Sequence, residues 1–277
     1  MVQYLKTIFN FYIKSSIHVA IAVVSLASVS ATTVNNSLPN ALLIFILCST
    51  VFGYNYIKFF PLFKFGVLRN DLKWIIILSL LSALYSGIFF FTLTTGSKIL
   101  VLLIGILVLL YSTPLIASRN GREMKGLKTL WVVLSWILLS VGIPILELEY
   151  YDLTVVLFLF CLQGIYVFVA LLSFEIRDVN TDSPFLNTLP QRIGILRAKV
   201  IGYFLILVAI VLQGFAFDTP DSLKLSTWVV FFLLALFLWK SMPNRSFYFT
   251  HFWLESLPLF WFVMIEILSN LHIISTQ

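Results

Sequence analysis

Long apolar runs, most of them close to twenty residues and almost free of charge, recur from one end of this chain to the other. They fall at about residues 16–34, 41–59, 74–94, 97–117, 129–146, 153–173, 197–216, 225–239 and 252–271. At about 1.5 Å of rise per residue, helices of this length span the ~30 Å hydrocarbon core of a bilayer. Backbone amides find no water there, so such spans must be helical. Pro39, Pro61, Pro114, Pro144 and Pro220 stand near run ends. The longest connections between runs on one face are 60–73, 118–128 and 174–196, too short for a further folded domain. The runs therefore predict an all-α polytopic membrane protein of about nine transmembrane helices, with residues 1–277 forming one domain. With 60% hydrophobic and 11% charged residues, and a mean hydropathy of +1.02, an ordinary soluble domain is excluded.

The basic residues set the expected orientation. With the N-terminus in the cytoplasm and the spans alternating, only Lys98 and Lys224 of the 18 Lys and Arg fall outside, leaving 18 − 2 = 16 inside. The outer connections carry Glu147, Glu149, Asp152, Asp218 and Asp221 instead. The C-terminus then lies outside, in a multi-pass protein of the cell membrane, most simply a bacterial plasma membrane. The first run has a basic flank (Lys6, Lys14) and an Ala-Ser-rich end, but it is long for a cleaved signal peptide and is expected to be retained. The net charge of +6 reads as topology and contact with anionic lipid, and does not suggest nucleic-acid binding. Cys48 and Cys161 lie inside apolar runs without metal-ligand spacing and read as small core residues.

Where the sixth run meets water, three carboxylates gather: Glu175, Asp178 and Asp182. Continued as a helix, offsets 0, 3 and 7 bring them within roughly 60° of one another. Carboxylates so placed repel unless a cation joins them, and oxygen ligands without His or Cys favour Mg²⁺. The alternative is an amphipathic helix end neutralised by Arg177 and water.

The stretch Glu175-Ile176-Arg177-Asp178-Val179-Asn180-Thr181-Asp182 resembles the second aspartate-rich motif of the UbiA superfamily of intramembrane prenyltransferases. Thr188-Leu189-Pro190, then Arg192, Gly194, Ala198 and Lys199, resembles the stretch that follows it. Tyr111-Ser112-Thr113-Pro114-Leu115 with Arg119 is similar to the signature at the end of the family's fourth helix. The resemblance implies a nine-helix UbiA-like bundle that transfers a prenyl group from a prenyl diphosphate to an aromatic or lipid-like acceptor at the cytoplasmic face. It implies Mg²⁺ on Glu175, Asp178 and Asp182. It assigns substrate contacts to Tyr111, Arg119, Arg177, Arg192 and Lys199, and catalysis to Asp178, Asp182 and Asn55, which Lys58 is expected to join on its own account.

The first motif departs from this pattern. Asn55 matches, but the three aspartate positions hold Tyr56, Phe59 and Phe63, and Ser118 stands where a lysine is common. Lys58, one turn after Asn55, is expected to supply charge to the diphosphate; its alternative role is to snorkel to the interface. Two rival functions remain: a catalytically inactive relative that binds a prenyl lipid or acts as a scaffold, and a transporter. The transporter reading draws on Glu255 and Glu266, near or inside the last run. His18 reads as a polar helix-end residue. The charge distribution generates a direct prediction. Cysteines placed at Asn120 and Asn187 should react with an impermeant thiol reagent only from the cytoplasm, and those at Asn36 and Asp221 only from outside; the reverse pattern inverts the topology.

Overall fold

The computed structural model describes residues 2–64, 72–112, 114–116, 119–120, 128–215 and 219–275, without the side chains of 2, 60–64, 114–116, 119–120 and 272–275. Helices account for nearly all of it. Helix α1 (Val2–Lys14) leads into α2 (Ile17–Thr33), followed by α3 (Asn40–Lys64), α4 (Lys73–Phe90) and α5 (Thr95–Ser112). A short antiparallel ribbon comes next, β1 (Pro114–Ile116) paired with β2 (Arg119–Asn120). Helix α6 (Lys128–Ile137) widens into a π-helical turn, Leu138–Gly142, and continues as α7 (Ile143–Glu147). The long α8 (Leu153–Asp178) precedes a short α9 (Leu189–Ile193), then α10 (Ile195–Phe215) and α11 (Asp221–Lys240). A second π-helical turn, Phe249–Leu254, leads into α12 (Leu257–Ser275).

Among the described residues eight segments are long and apolar enough to cross a membrane, and nine when α1 and α2 count as one span bent by 53°. The all-α polytopic expectation holds. At the N-terminus the sequence gives a run starting at residue 16, whereas the chain is already helical from Val2. The bend sits at Ser16, whose φ of 64° is left-handed. A non-glycine residue there costs on the order of 1–2 kcal/mol, so its neighbours must hold it.

Helix α2 is the central element. Its apolar side chains enter one core with α8, α10, α11 and α12 through Leu26 and Val29, and a second with α3 through Val23, Ala27 and Ala31. The first core centres on the buried rings of Tyr166, Phe231 and Trp261, whose centroids are 5.8–6.2 Å apart. Helices α10 and α11 approach closely at Gly202, where a Cβ would lie 2.5 Å from a Leu238 methyl.

Lipid offers polar groups no partners, so the bundle supplies them. Gln163 of α8 is wholly buried. Its amide donates to the Leu26 carbonyl (2.9 Å) and the Ser30 hydroxyl (2.8 Å), while Ser140 donates to its carbonyl (2.7 Å). Ser30 also donates to the Ser140 carbonyl, 2.8 Å away in the π-helical turn, where the wider spacing frees carbonyls from the helical ladder. At the other end of the bundle from Ser16, the amide and hydroxyl of Thr94 each donate to Glu147, both at 2.8 Å. Gln163→Ala removes three bonds from α2 and the π-helical turn. Reversible unfolding in mixed micelles should show a loss of about 1–3 kcal/mol, and a loss below about 0.3 kcal/mol would remove Gln163 as a tie.

Candidate functional site

Polar side chains converge where α1 meets α2, α3 nears its end, α6 begins, α8 stops and α12 is approached. At the α1–α2 bend the Ser16 hydroxyl donates to Asn55 Oδ1 (2.8 Å) and accepts from Lys58 Nζ (2.9 Å). Asn55, 2% exposed, donates to the Ser15 carbonyl (3.0 Å) and the Ser79 hydroxyl (2.9 Å). The left-handed serine is thereby clamped by α3. Asn55 serves as the clamp and spends its amide on protein partners.

Lys58 is exposed and reaches the bend at Ser16. Its ammonium lies 5.9 Å from the centre of the Tyr54 ring. Tyr54 accepts a hydrogen bond from Trp136 Nε1 at 2.5 Å. Both rings also line an apolar cavity of about 710 Å³ between α3, α4, α5 and α6, whose wall includes Phe90, Ile106, Tyr111 and Trp131. That volume lies within the ~300–1,000 Å³ of small-molecule sites.

On the α8 side, the guanidinium of Arg177 forks the adjacent Asp178 (Nε to Oδ1 2.7 Å, Nη2 to Oδ2 2.6 Å). Its Nη1 donates to Thr250 and to His251 Nδ1, the latter at 2.7 Å. A guanidinium only donates, so His251 Nδ1 is an acceptor here; its ring stacks on Phe247 at 4.0 Å. His18, 3% exposed, donates through Nε2 to the Phe252 carbonyl (3.0 Å) and shares a hydrogen bond between Nδ1 and the Tyr12 hydroxyl (2.7 Å).

The three carboxylates expected to share one ion have separate partners. Helix α8 ends at Asp178, and the amide of Asp182 closes the turn that follows on the Asp178 carbonyl (2.7 Å), so Asp182 lies beyond the helix on which the spacing had put it. Asp182 pairs with Lys128 at 2.8 Å. Glu175, 4% exposed, accepts from Thr129 through Oε1, and its Oε2 has no partner. Asp178 is taken by Arg177. Among the described residues no three His, Cys, Asp or Glu side chains gather as a metal site. Octahedral Mg²⁺ needs converging oxygens, and these residues, as arranged, do not fit it.

Of the other residues singled out by sequence, Tyr111 does line the cavity and is buried. Lys199 instead donates to the Trp239 carbonyl at 2.8 Å, closing the end of α11. Arg192 is exposed on α9. The side chains of Arg119 and Phe63, and Ser118 entirely, lie outside the described residues. Sequence reasoning missed the Ser15-Ser16 joint, Thr129, His251 and the Trp136–Tyr54 contact. The one visible signal was a run of polar residues (Lys14, Ser15, Ser16, His18) at the mouth of an apolar span.

No family model matches the sequence, and no curated protein matches it. By structure the chain is similar to the apo structure of a UbiA homolog from Aeropyrum pernix K1, with a TM-score of 0.62 over 91% of this chain and 98% of that one. The fold is UbiA-like. Sequence identity to that homolog is 15%, so the likeness resides in helix arrangement. Within the UbiA-like bundle the second-motif carboxylates are held by Arg177, Lys128 and Thr129. Asp178→Asn should therefore destabilise the protein by about 1–3 kcal/mol. The Asp178→Asn, Arg177→Gln double variant should lose little more than Arg177→Gln alone, and Mg²⁺ should leave every unfolding midpoint unchanged. Additive losses, or a Mg²⁺-dependent midpoint in the wild type alone, would show that Asp178 acts apart from Arg177.

Proposed function

We propose that this chain is an intramembrane prenyltransferase that passes a prenyl group from a prenyl diphosphate to an aromatic or lipid-like acceptor, working at the membrane face that the basic residues assign to the cytoplasm. The observation that carries the reading is the junction at Tyr54, which lines the apolar cavity and lies under the ammonium of Lys58. An amphiphile with an anionic head and a long apolar tail matches that junction. The tail enters the cavity and is sheltered from water, and the head meets Lys58.

In the transfer, the allylic C–O bond breaks and its electron pair leaves with the diphosphate. The Lys58 ammonium supports the negative charge as it develops, which is where a fixed positive group is most effective. The faces of Tyr54, Trp136 and Tyr111 stand beside the tail and suit a short-lived allylic cation. The acceptor bonds the allylic carbon and gives up a proton. No step is routed through a metal.

A second reading, a UbiA-like protein that binds a prenyl lipid without turning it over, is favoured by the engagement of Asp178 and Asp182 with Arg177 and Lys128. The two readings separate on one preparation. Purified protein in nanodiscs is titrated with radiolabelled geranyl, farnesyl and geranylgeranyl diphosphates, and pyrophosphate release is followed. Lys58→Met should weaken binding roughly 10- to 150-fold, the equivalent of a charge-assisted contact of about 1.5–3 kcal/mol. Binding unaffected by Lys58→Met sinks the assignment of the head to this residue, and binding without pyrophosphate release selects the second reading.

A further inference from the structure

Three glycines line the apolar cavity, one from each of three helices: Gly53 on α3, Gly87 on α4 and Gly105 on α5. Their backbones do not require glycine, since among the described residues only Gly194 is a glycine with positive φ. Close packing does not require it either. A Cβ on any of the three would meet nothing within 4 Å, whereas at Gly142 and Gly202 it would lie 2.8 and 2.5 Å from a leucine methyl. Glycine in a helix interior is less stable than alanine, and here that cost recurs three times around one cavity. What the three positions share is open space where a side chain would stand.

They lie at different depths. The head end of the cavity is marked by Tyr54, under the Lys58 ammonium, and by the bond from Asn55 to Ser79 that joins α3 to α4. At the far end α3 begins at Asn40, α4 stops at Phe90 and α5 starts at Thr95. Gly53, Gly105 and Gly87 stand 13, 10 and 3 residues from those termini, or about 20, 15 and 4.5 Å along the helix axes at the α-helical rise. From the head inward the order is therefore Gly53, beside Tyr54, then Gly105, then Gly87. Beyond them the cavity wall passes, at Phe45 and Phe90, into the buried core that holds Leu42 and Leu93.

We propose that Gly53, Gly105 and Gly87 are specificity-determining residues, a bare track on which the prenyl tail of the donor lies, so that the depth of each fixes how long a tail must be to touch it. The proposal rests on the prenyl-transfer reading. With the anionic head at Lys58, every tail passes Gly53. A geranyl tail stops short of Gly87, and a geranylgeranyl tail, twice as long, reaches it. The tail needs no polar partner along this track. It gains dispersion contact with exposed helix backbone, which a side chain at any of the three positions would replace.

The full-length protein in nanodiscs is titrated with geranyl, farnesyl and geranylgeranyl diphosphates. Gly87→Leu should leave geranyl affinity within about twofold of wild type and weaken geranylgeranyl binding roughly 10- to 200-fold, the span over which an apolar pocket rejects surplus methylenes. Gly105→Leu should weaken farnesyl and geranylgeranyl binding more than geranyl, and Gly53→Leu should weaken all three. Gly214→Leu on α10, where a Cβ also meets open space but outside the cavity wall, should change none. Gly87→Ala and Gly105→Ala should raise the unfolding midpoint and shift the same donors in the same order, by less. Equal effects of Gly87→Leu on the three donors overturn the proposal. So does no effect at all, the result expected if an acyl chain of the bilayer fills the cavity and only the head is bound. A lowered midpoint in both alanine variants makes these glycines packing residues and overturns it too. Failure of the prenyl-donor reading looks different, because the wild type then binds none of the three probes, and the proposal falls with it.

Discussion

A bilayer interior offers polar groups nothing to bond to, so every charge and amide placed there must be answered by the same chain. That constraint accounts for most of what holds this bundle in register. Gln163 joins α8 to α2 and to the π-helical turn after α6 because its amide has no other partners within reach. Arg177 joins the end of α8 to the approach of α12 through Thr250 and His251. Apolar packing against α2 brings the helices together with little directional preference. The buried polar ties then set their depth and rotation.

The same constraint bears on the chemistry. A recess that keeps several carboxylates near one another needs matching cations. Here the chain provides its own, Arg177 for Asp178 and Lys128 for Asp182. On the facing helix the three aspartate positions of the family's first motif hold Tyr56, Phe59 and Phe63, and a lysine stands among them. These changes are mutually consistent. Lacking carboxylates on one wall and neutralising those on the other both lessen what a divalent ion would gain by entering, while leaving the Lys58 ammonium over Tyr54, which lines the cavity.

The sequence made the membrane spans legible because a run of twenty apolar residues has few alternatives, and the resemblance to the UbiA superfamily pointed to the arrangement that the structural likeness bears out. The bend at Ser16 was not legible, since a left-handed serine is tolerated only because Asn55 and Lys58, some forty residues away, bond its hydroxyl. The carboxylate spacing misled for a similar reason. A helical wheel assumes a continuing helix, whereas α8 stops at Asp178 and Asp182 turns toward Lys128. Lys199 shows the same limit: a motif position told which residue to watch, and the open carbonyl of Trp239 decided where it went. Local pattern identifies which groups are unusual. Their partners come from distant helices and are set by packing.

Position 16 unites two demands that a single substitution cannot relax separately. Its backbone is strained, and glycine would relieve that strain at no steric cost. Its hydroxyl fastens Lys58 and Asn55, and glycine would delete it. Most other residues would keep the strain and lose the contact; asparagine, which tolerates the left-handed region and carries a polar side chain, comes nearest to serving both. A search for a more robust fold would therefore arrive at glycine here, and by doing so would release Lys58 from the bend. At this joint, a relaxed backbone and a tethered lysine are opposed by geometry, and serine is the compromise the chain has adopted.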